Sequence, residues 1–399
     1  MNEPLINSRA AAERLGVKVE TLYAYVSRGL IDAHQVEGSR GSHFHPADVD
    51  ALAQRSRGGD KRSALTVTSA VTRIEGGHYW YRGIDPLSLI GSHHFEQVAE
   101  LLWGSVEWSR EDRTWPQSHE TARLARATIA LLPPLERPIS RLTVAMAVIG
   151  ALDELKHDLD PSAVRATARR MLATLALTLD TAPVETASIA GRLLSALGGE
   201  PTGAATAAVD TTLILLADHE LAASTMAART AAAFRSDPHA VVAAGLGALA
   251  GVWHGGASGA VETMLADIVG TGSVERALSK RIRDGQPIPG LGQHLYPDGD
   301  PRTSTLLATA RRAAPNSPVH AAVDELLIVC DERGYPPPNC DLGVATLSNA
   351  LGLAVGSGEV MFAVSRMAGW IAHAMEEYES PSSLRPRAVY VGPRQSETA

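Results

Sequence analysis

A chain of 399 residues, 45% hydrophobic and 20% charged, has the length for two or three domains and the balance of a soluble globular protein. A net charge of −8 argues against nucleic-acid affinity over the whole chain, and the two cysteines, Cys330 and Cys340, are too few for a disulfide framework and fit a reducing compartment. No apolar run reaches membrane-spanning length and no basic start precedes an apolar segment, so a cytoplasmic protein with no signal peptide and no membrane partner is expected.

Richness in alanine and leucine with only 5% aromatics predicts a mainly α fold. The first elements are short. Ser8–Val17 predicts a helix that ends at Gly16, and Glu20–Arg28 a second, with Leu22, Tyr25 and Val26 on one face. Gln35–Phe44 reads as a hairpin around a Gly-rich tip, and Pro46 opens another helix. This order resembles the winged helix-turn-helix of the MerR and excisionase type. The resemblance implies that Val19–Arg28 enters a DNA major groove, with Arg28, Arg40 and His43 near phosphates. The unit is only weakly positive, so a structural or protein-binding appendage is the competing assignment. The basic stretch Arg55–Ser63 reads as a linker or a phosphate-contacting tail.

Beyond it, the alternating segment Leu65–Ile74 predicts a hairpin ending at Glu75–Gly77. Helical runs broken by Pro and Gly follow, among them Phe95–Trp103 and Ile139–Leu155, with no repeat of solenoid period. Residues 160–210 are alanine-rich and carry little chemistry.

Chemistry concentrates in the C-terminal half. His219 lies between Asp218 and Glu220 ahead of a small-residue helix, where capping or packing competes with catalysis. His254 precedes Gly255 and Gly256, and a helix starting there favours a neutral imidazole donor. The loop GLGQHLYPDGDPR, residues 290–302, is too dense in Gly and Pro for a helix, and its Asp-Pro-Arg end sets Arg302 on a turn suited to a carboxylate. Asp341, after Pro-Pro-Pro-Asn-Cys, is either a helix N-cap or a partly desolvated base. Arg366 lies in an apolar helix, where an unpaired guanidinium costs several kcal/mol unless an anion meets it. Arg385, near the C-terminus, reads by default as part of a solvated tail.

In this order, these pieces resemble the citrate synthase family, including 2-methylcitrate synthases. The likeness runs from Leu65 to the end. It includes Tyr81-Arg-Gly83, Phe95–Trp103, His219, the His-Gly-Gly at 254–256, the loop to Arg302, Pro-Asn-x-Asp341, Arg366 before Met-Ala-Gly-Trp-Ile-Ala-His373, and Arg-Pro-Arg at 385–387. The resemblance implies a two-domain citrate synthase fold after the helix-turn-helix unit. Residues 1–62 would be that unit and its linker, 63–255 and 357–399 a large helical domain, and 256–356 a small one.

It also implies an acyltransferase that condenses acetyl-CoA with oxaloacetate through an enol or enolate, giving citrate and CoA. Asp341 would remove the methyl proton and His254 stabilise the enolate. His219, Arg302 and Arg366 would bind oxaloacetate, with Arg385 supplied across a homodimer interface. Ile288, Pro289, Gly290, Leu291 and Gly292 would cradle the adenine of CoA. No metal or redox cofactor is implied. Propionyl-CoA, giving 2-methylcitrate, is the close alternative, since one methylene discriminates by only about 1–3 kcal/mol.

One position departs from the family pattern. Gln293 stands where the loop carries a histidine that binds the keto oxygen and assists its protonation, and His294 comes one place later. A glutamine amide donates a hydrogen bond but shuttles no proton. Either the enzyme's turnover is weakened, or turnover is lost and the chain is a ligand sensor or transcriptional regulator signalling through residues 1–62, or the loop shifts by one and His294 takes the role. Gly259, where the family often has a carboxylate, is a milder departure.

Overall fold

The computed structural model describes residues 5–380 except 16, 18, 28–30, 32, 36–40, 47, 50–66, 107, 111–114, 134–136, 180–187 and 252–253. The chain divides into two compact units, one from the N-terminal stretch to Val67 and one spanning Thr68–Arg385. In the first, β1 (Ile6–Asn7), α1 (Ser8–Leu15) and α2 (Val19–Ser27) precede β2 (His34–Gln35) and β3 (Ser42–Phe44). Strand β3 is central: Phe44 pairs with Ile6, and His43 with both Asn7 and His34. Ala11, Leu15, Leu22, Phe44 and Val49 close a small core beneath the helices. The hairpin arms flank the expected tip, and β1 is a third strand that residue patterning did not indicate. Arg28, Arg40 and the linker at 55–63 lie outside the described residues.

The second unit opens on a hairpin of β4 (Thr72–Glu75) and β5 (His78–Tyr81). The hairpin expected to end at Glu75–Gly77 instead turns there. Gly76 and Gly77 both have positive φ, 56° and 78°, so the pair forms the tight turn and the strands must flank it. The rest is helical. α3 (Phe95–Leu102), α4 (His119–Ile129), α5 (Pro138–Leu152), α6 (Pro161–Leu179), α7 (Ile189–Ala196) and α8 (Gly203–Leu216) lead to the first site segment. α9 (Ala223–Ala233) and α10 (Pro238–Leu249) follow it, then α11 (Gly256–Thr271) and α12 (Val274–Arg283). α13 (Pro301–Ala313), α14 (Val319–Glu332), α15 (Cys340–Ala350) and α16 (Ser357–Glu379) complete the unit.

Two apolar cores organise these helices. The larger gathers Phe95, Leu172, Leu213, Leu246 and Trp370; the smaller gathers Val261, Leu265, Leu278, Val323 and Leu342. Helix α16 is buried along nearly its whole length in the larger core, so its polar residues must be satisfied inside the protein. No described helix is long and apolar enough to cross a membrane.

Candidate active site

Helix α8 delivers Asp218 and His219 to the centre of the second unit, and α16 holds them there. Arg366 Nε donates to the Leu216 carbonyl at 2.9 Å, and the Gly369 N–H to that of Ala217 at 3.0 Å. His373 Nε2 lies 3.3 Å from Asp218 Oδ2. A side chain at 369 could not be accommodated, because its Cβ would stand 2.2 Å from Asp218 Oδ1. Behind this contact, Arg229 Nη1 donates to His373 Nδ1 at 2.9 Å and also pairs with Glu376 and Glu377. In the neutral ring this donation leaves Nε2 as the proton-bearing atom that faces Asp218; protonation places a second proton on Nδ1, which turns that atom's contact from Arg229 to Glu376 Oε2, 3.6 Å away. Burial alone would lower the pKa of His373, but Asp218 and Glu376 outweigh it and hold it raised. Glu220, with φ of 55°, sits in the left-handed region beside His219, as local strain at a functional site often does.

His219 Nε2 is 2.9 Å from the Tyr296 hydroxyl. Burial, then the charges of Arg302, Arg366 and His294, holds its pKa well below the usual imidazole value, so the ring is neutral at physiological pH. Arg302 is in the first turn of α13, capped by Asp300, rather than on a turn. Its guanidinium grips the Asp300 carboxylate at 2.9 and 2.7 Å and lies between the Tyr79 and Tyr296 rings. Arg366 differs. It is 1% exposed, stacks 4.7 Å over the Phe362 ring, and forms no ion pair among the described residues. Burial lowers its pKa, and the nearby Asp218 offsets that only in part.

His254 lies just ahead of α11, with Nε2 2.8 Å from Ser224 Oγ. Burial, with Arg366 adding to it, lowers its pKa to about 4. Asp341 is not the cap of α15. Asn339 fills that position, its side chain accepting from the Asp341 N–H at 3.0 Å. The Asp341 carboxyl is therefore free for chemistry and accepts a 2.5 Å bond from Ser258 Oγ. Burial pushes its pKa up, and the Ser258 bond pulls it part of the way back.

The loop across the site is tied to the proline segment before α15. Gly292 N–H donates to Pro337 O at 2.7 Å, Asn339 N–H to Gly290 O at 2.9 Å, and Asn339 Nδ2 to Gly292 O at 2.9 Å. Leu291 bridges Pro338, while Ile288 and Pro289 are part-exposed on the approach to this turn. Gln293 is half-buried; its carbonyl accepts from Tyr296 N–H at 2.9 Å, while His294 is exposed.

Arg302, Arg366 and His294 are thus within electrostatic reach of His219, with His254 near Arg366 and Asp341 near Arg302. Arg385 lies outside the described residues. Tyr79, Tyr296, Ser224, Ser258 and His373 are site or support residues that sequence reading did not assign. Tyr296, six places before Arg302, and His373, at the end of the family-like stretch after Arg366, offered a signal. Among the described residues no group of three His, Cys, Asp or Glu side chains is arranged to hold a metal ion.

The family model described as citrate synthase, C-terminal domain, matches residues 61–387. The chain belongs to the citrate synthase family. Citrate synthase 2 of Bacillus subtilis (strain 168) is 30% identical over 352 residues, covering 82% of this chain and 94% of that protein. The 2-methylcitrate synthase of Mycobacterium tuberculosis (strain ATCC 25618 / H37Rv) is 29% identical over 350 residues, covering 82% and 88%. The solved citrate synthase of Thermotoga maritima MSB8 shares 26% identity at a TM-score of 0.68, covering 84% of this chain and 96% of that one. The Thermoplasma acidophilum enzyme, solved as a ternary complex with carboxymethyl coenzyme A and oxaloacetate, superposes with a TM-score of 0.72, covering 86% and 98%. At 24% identity that likeness concerns the fold, which is the mainly helical citrate synthase fold.

Proposed function

We propose that this chain is a citrate synthase-type acyltransferase that condenses acetyl-CoA with oxaloacetate to form citrate and CoA. The observation that carries the proposal is Arg366, a buried guanidinium without an ion pair among the described residues, beside two histidines held neutral. A buried cation of this kind is stable only when an anion shares its site, and a dicarboxylate keto acid supplies one. The Asp300 partner neutralises most of Arg302, so Arg366 provides the larger part of the attraction, and His219 and Tyr296 orient the ligand.

In the proposed reaction Asp341 takes a proton from the acyl methyl group. With Ser224 donating to Nε2, neutral His254 carries its proton on Nδ1 and donates to the thioester oxygen as charge develops there. The enolate carbon bonds to the keto carbon, whose oxygen becomes an alkoxide and takes up a proton. Water then hydrolyses the citryl thioester, releasing CoA. Gln293 offers a hydrogen bond to the alkoxide but no proton, so this step relies on solvent.

The assignment extends to Ile288–Gly292 as the adenine cradle, to a homodimer with Arg385 contributed by the partner, and to a cytoplasmic location with no metal or redox cofactor. The two apolar cores support a large domain of residues 63–255 and 357–399 and a small domain of 256–356. Likeness to both citrate and 2-methylcitrate synthases makes the acyl group the open arm of the test. Thiol release from acetyl-CoA and propionyl-CoA is measured with oxaloacetate, for the native chain and Asp341→Asn. Release lost in the variant supports the enzyme. No release from either thioester, with calorimetric oxaloacetate binding intact, leaves a ligand sensor, which Gln293 favours.

Two helices followed by a hairpin, whose strand β3 also pairs with β1 ahead of the helices, support a winged helix-turn-helix unit in the N-terminal segment. We propose DNA as its partner. Salt-dependent gel shifts compare the full chain with residues 63–399, and equal retention overturns the assignment.

A further inference from the structure

A cavity of about 1010 Å³ opens between α3, α7, α8 and α13, away from the residues described above. Its volume is at the upper end of small-ligand pockets. Ile90, Trp115, Ile189, Ala204 and Ala207 give it a mostly apolar wall. Two carboxylates also border it: Asp210 is engaged through both oxygens, whereas Glu96 is engaged through Oε1 alone, its buried Oε2 having no partner among the described residues and burial raising its pKa. Asp210 accepts from the Phe95 N–H at 2.9 Å and pairs with His94 at 3.0 Å, while Glu96 accepts from the Ile189 N–H at 2.7 Å. The cationic side chains are Arg110 and Arg312, both exposed. Arg312 donates to Thr309 at 2.8 Å and forms no ion pair among the described residues.

The cavity's place relative to the catalytic site gives it a consequence. Helix α8 starts at its wall with Gly203, Ala204 and Ala207 and ends at Leu216, next to Asp218 and His219. Helix α13 packs on α8 and runs the other way, from Arg302 at the keto-acid site to Thr309 and Arg312 at the cavity. At 1.5 Å per residue, about 15 Å of paired helix separates the two.

We propose that this cavity is a second binding site, for a small organic anion with an apolar body, and that its occupancy is coupled to the keto-acid site through α8 and α13. The acidic group meets Arg312, and the apolar body lies against Trp115, Ile189 and the alanine face of α8. A ligand held by Arg312 on one helix and by the α8 wall on the other fixes the relative position of the two helices. Those same helices carry Arg302 and His219. Any difference in ligand affinity between two helix positions must then appear as a difference in oxaloacetate affinity, and the reverse. The coupling rests on the function proposed above; the binding site does not.

The probe is 1-anilinonaphthalene-8-sulfonate, an aromatic anion that fluoresces in apolar surroundings, titrated into the full-length protein with saturating CoA present. The native chain is expected to give saturable enhancement. Ala207→Trp, which fills the cavity from an exposed position, abolishes it, and Arg312→Gln weakens binding by about tenfold or more. Calorimetric oxaloacetate titrations with and without the probe then differ by about fivefold or more. Titrations identical to native in both variants place the probe elsewhere and overturn the site. Loss of enhancement with CoA present puts the probe in the catalytic cleft and overturns it equally. Binding at the cavity with unchanged oxaloacetate affinity overturns the coupling, even where thiol release is intact.

Discussion

The Gly292 N–H donates to the Pro337 carbonyl at 2.7 Å, and this bond fixes which residue follows the glycine pair of the loop. Gly290 and Gly292 have φ of 83° and 75°, and Asn339 bonds to the carbonyls of both. A one-residue slip would force Leu291 and Gln293 into the left-handed region, at about 1–2 kcal/mol each, and break all three bonds. This geometry favours Gln293 over His294 at the anchored position.

Restoring a proton donor at the anchored position should raise turnover. Gln293→His is expected to increase kcat by about 10²-fold, toward the lower end of general acid contributions. His294→Ala, altering an exposed side chain, should leave kcat nearly unchanged. The measurement is thiol release with acetyl-CoA and oxaloacetate. A large loss in His294→Ala with no gain in Gln293→His would show that the loop works in the shifted register.

The pH dependence should report Asp341 and not His254. With its pKa lowered to about 4, His254 is neutral across the physiological range, so its titration contributes nothing near neutrality. Asp341 must be ionised to accept a proton, and burial raises its pKa, so kcat/KM should fall on the acid side through that raised value. Ser258 donates to the ionised carboxylate and lowers its pKa. Ser258→Ala should therefore move the acid limb to higher pH, and an unmoved limb would assign it to another group.

Side chains with unusual chemistry for their surroundings were legible in the sequence: a guanidinium in an apolar helix, a histidine before two glycines, an arginine after Asp-Pro. Their partners were not. Tyr296 meets His219 across 77 residues, Ser258 meets Asp341 across 83, and Arg229 meets His373 across 144. Nothing local distinguishes such a serine or tyrosine from its neighbours, because only packing of the helices brings each pair together. Backbone detail failed for a related reason. Alternation suggested a hairpin ending at Glu75–Gly77, but the positive φ of Gly76 and Gly77 decided that the turn lies there.

His373 should make stability fall with rising pH. Its folded pKa is raised, so its contribution is fully present below the unfolded value of about 6.5 and is lost as pH climbs through the folded one. Asp218, held lowered because His373 outweighs its desolvation, stays ionised over this range and adds no slope. Urea unfolding of the native chain and His373→Gln between pH 6 and 9 should show a stability difference that shrinks as pH rises. A constant difference would make the role of His373 purely one of packing.

Close approach at Gly369 should matter to substrate binding more than to folding. A Cβ there would lie 2.2 Å from Asp218 Oδ1 and 2.6 Å from the Ala217 carbonyl, so Gly369→Ala must push the segment carrying His219 away from α16. Gly245 is the control: its Cβ would lie 2.6 Å from the Trp370 ring, a comparable clash against a core side chain. Overpacking costs about 1–3 kcal/mol at either position. At Gly245 that cost should appear as lost stability with KM for oxaloacetate unchanged. At Gly369, part of it is spent displacing the ligand-binding segment, and about 1.4 kcal/mol expressed in binding is a tenfold rise in KM. Equal stability losses with unchanged KM in both variants would show that the segment relaxes without moving His219, and would remove α16 from the positioning of substrate.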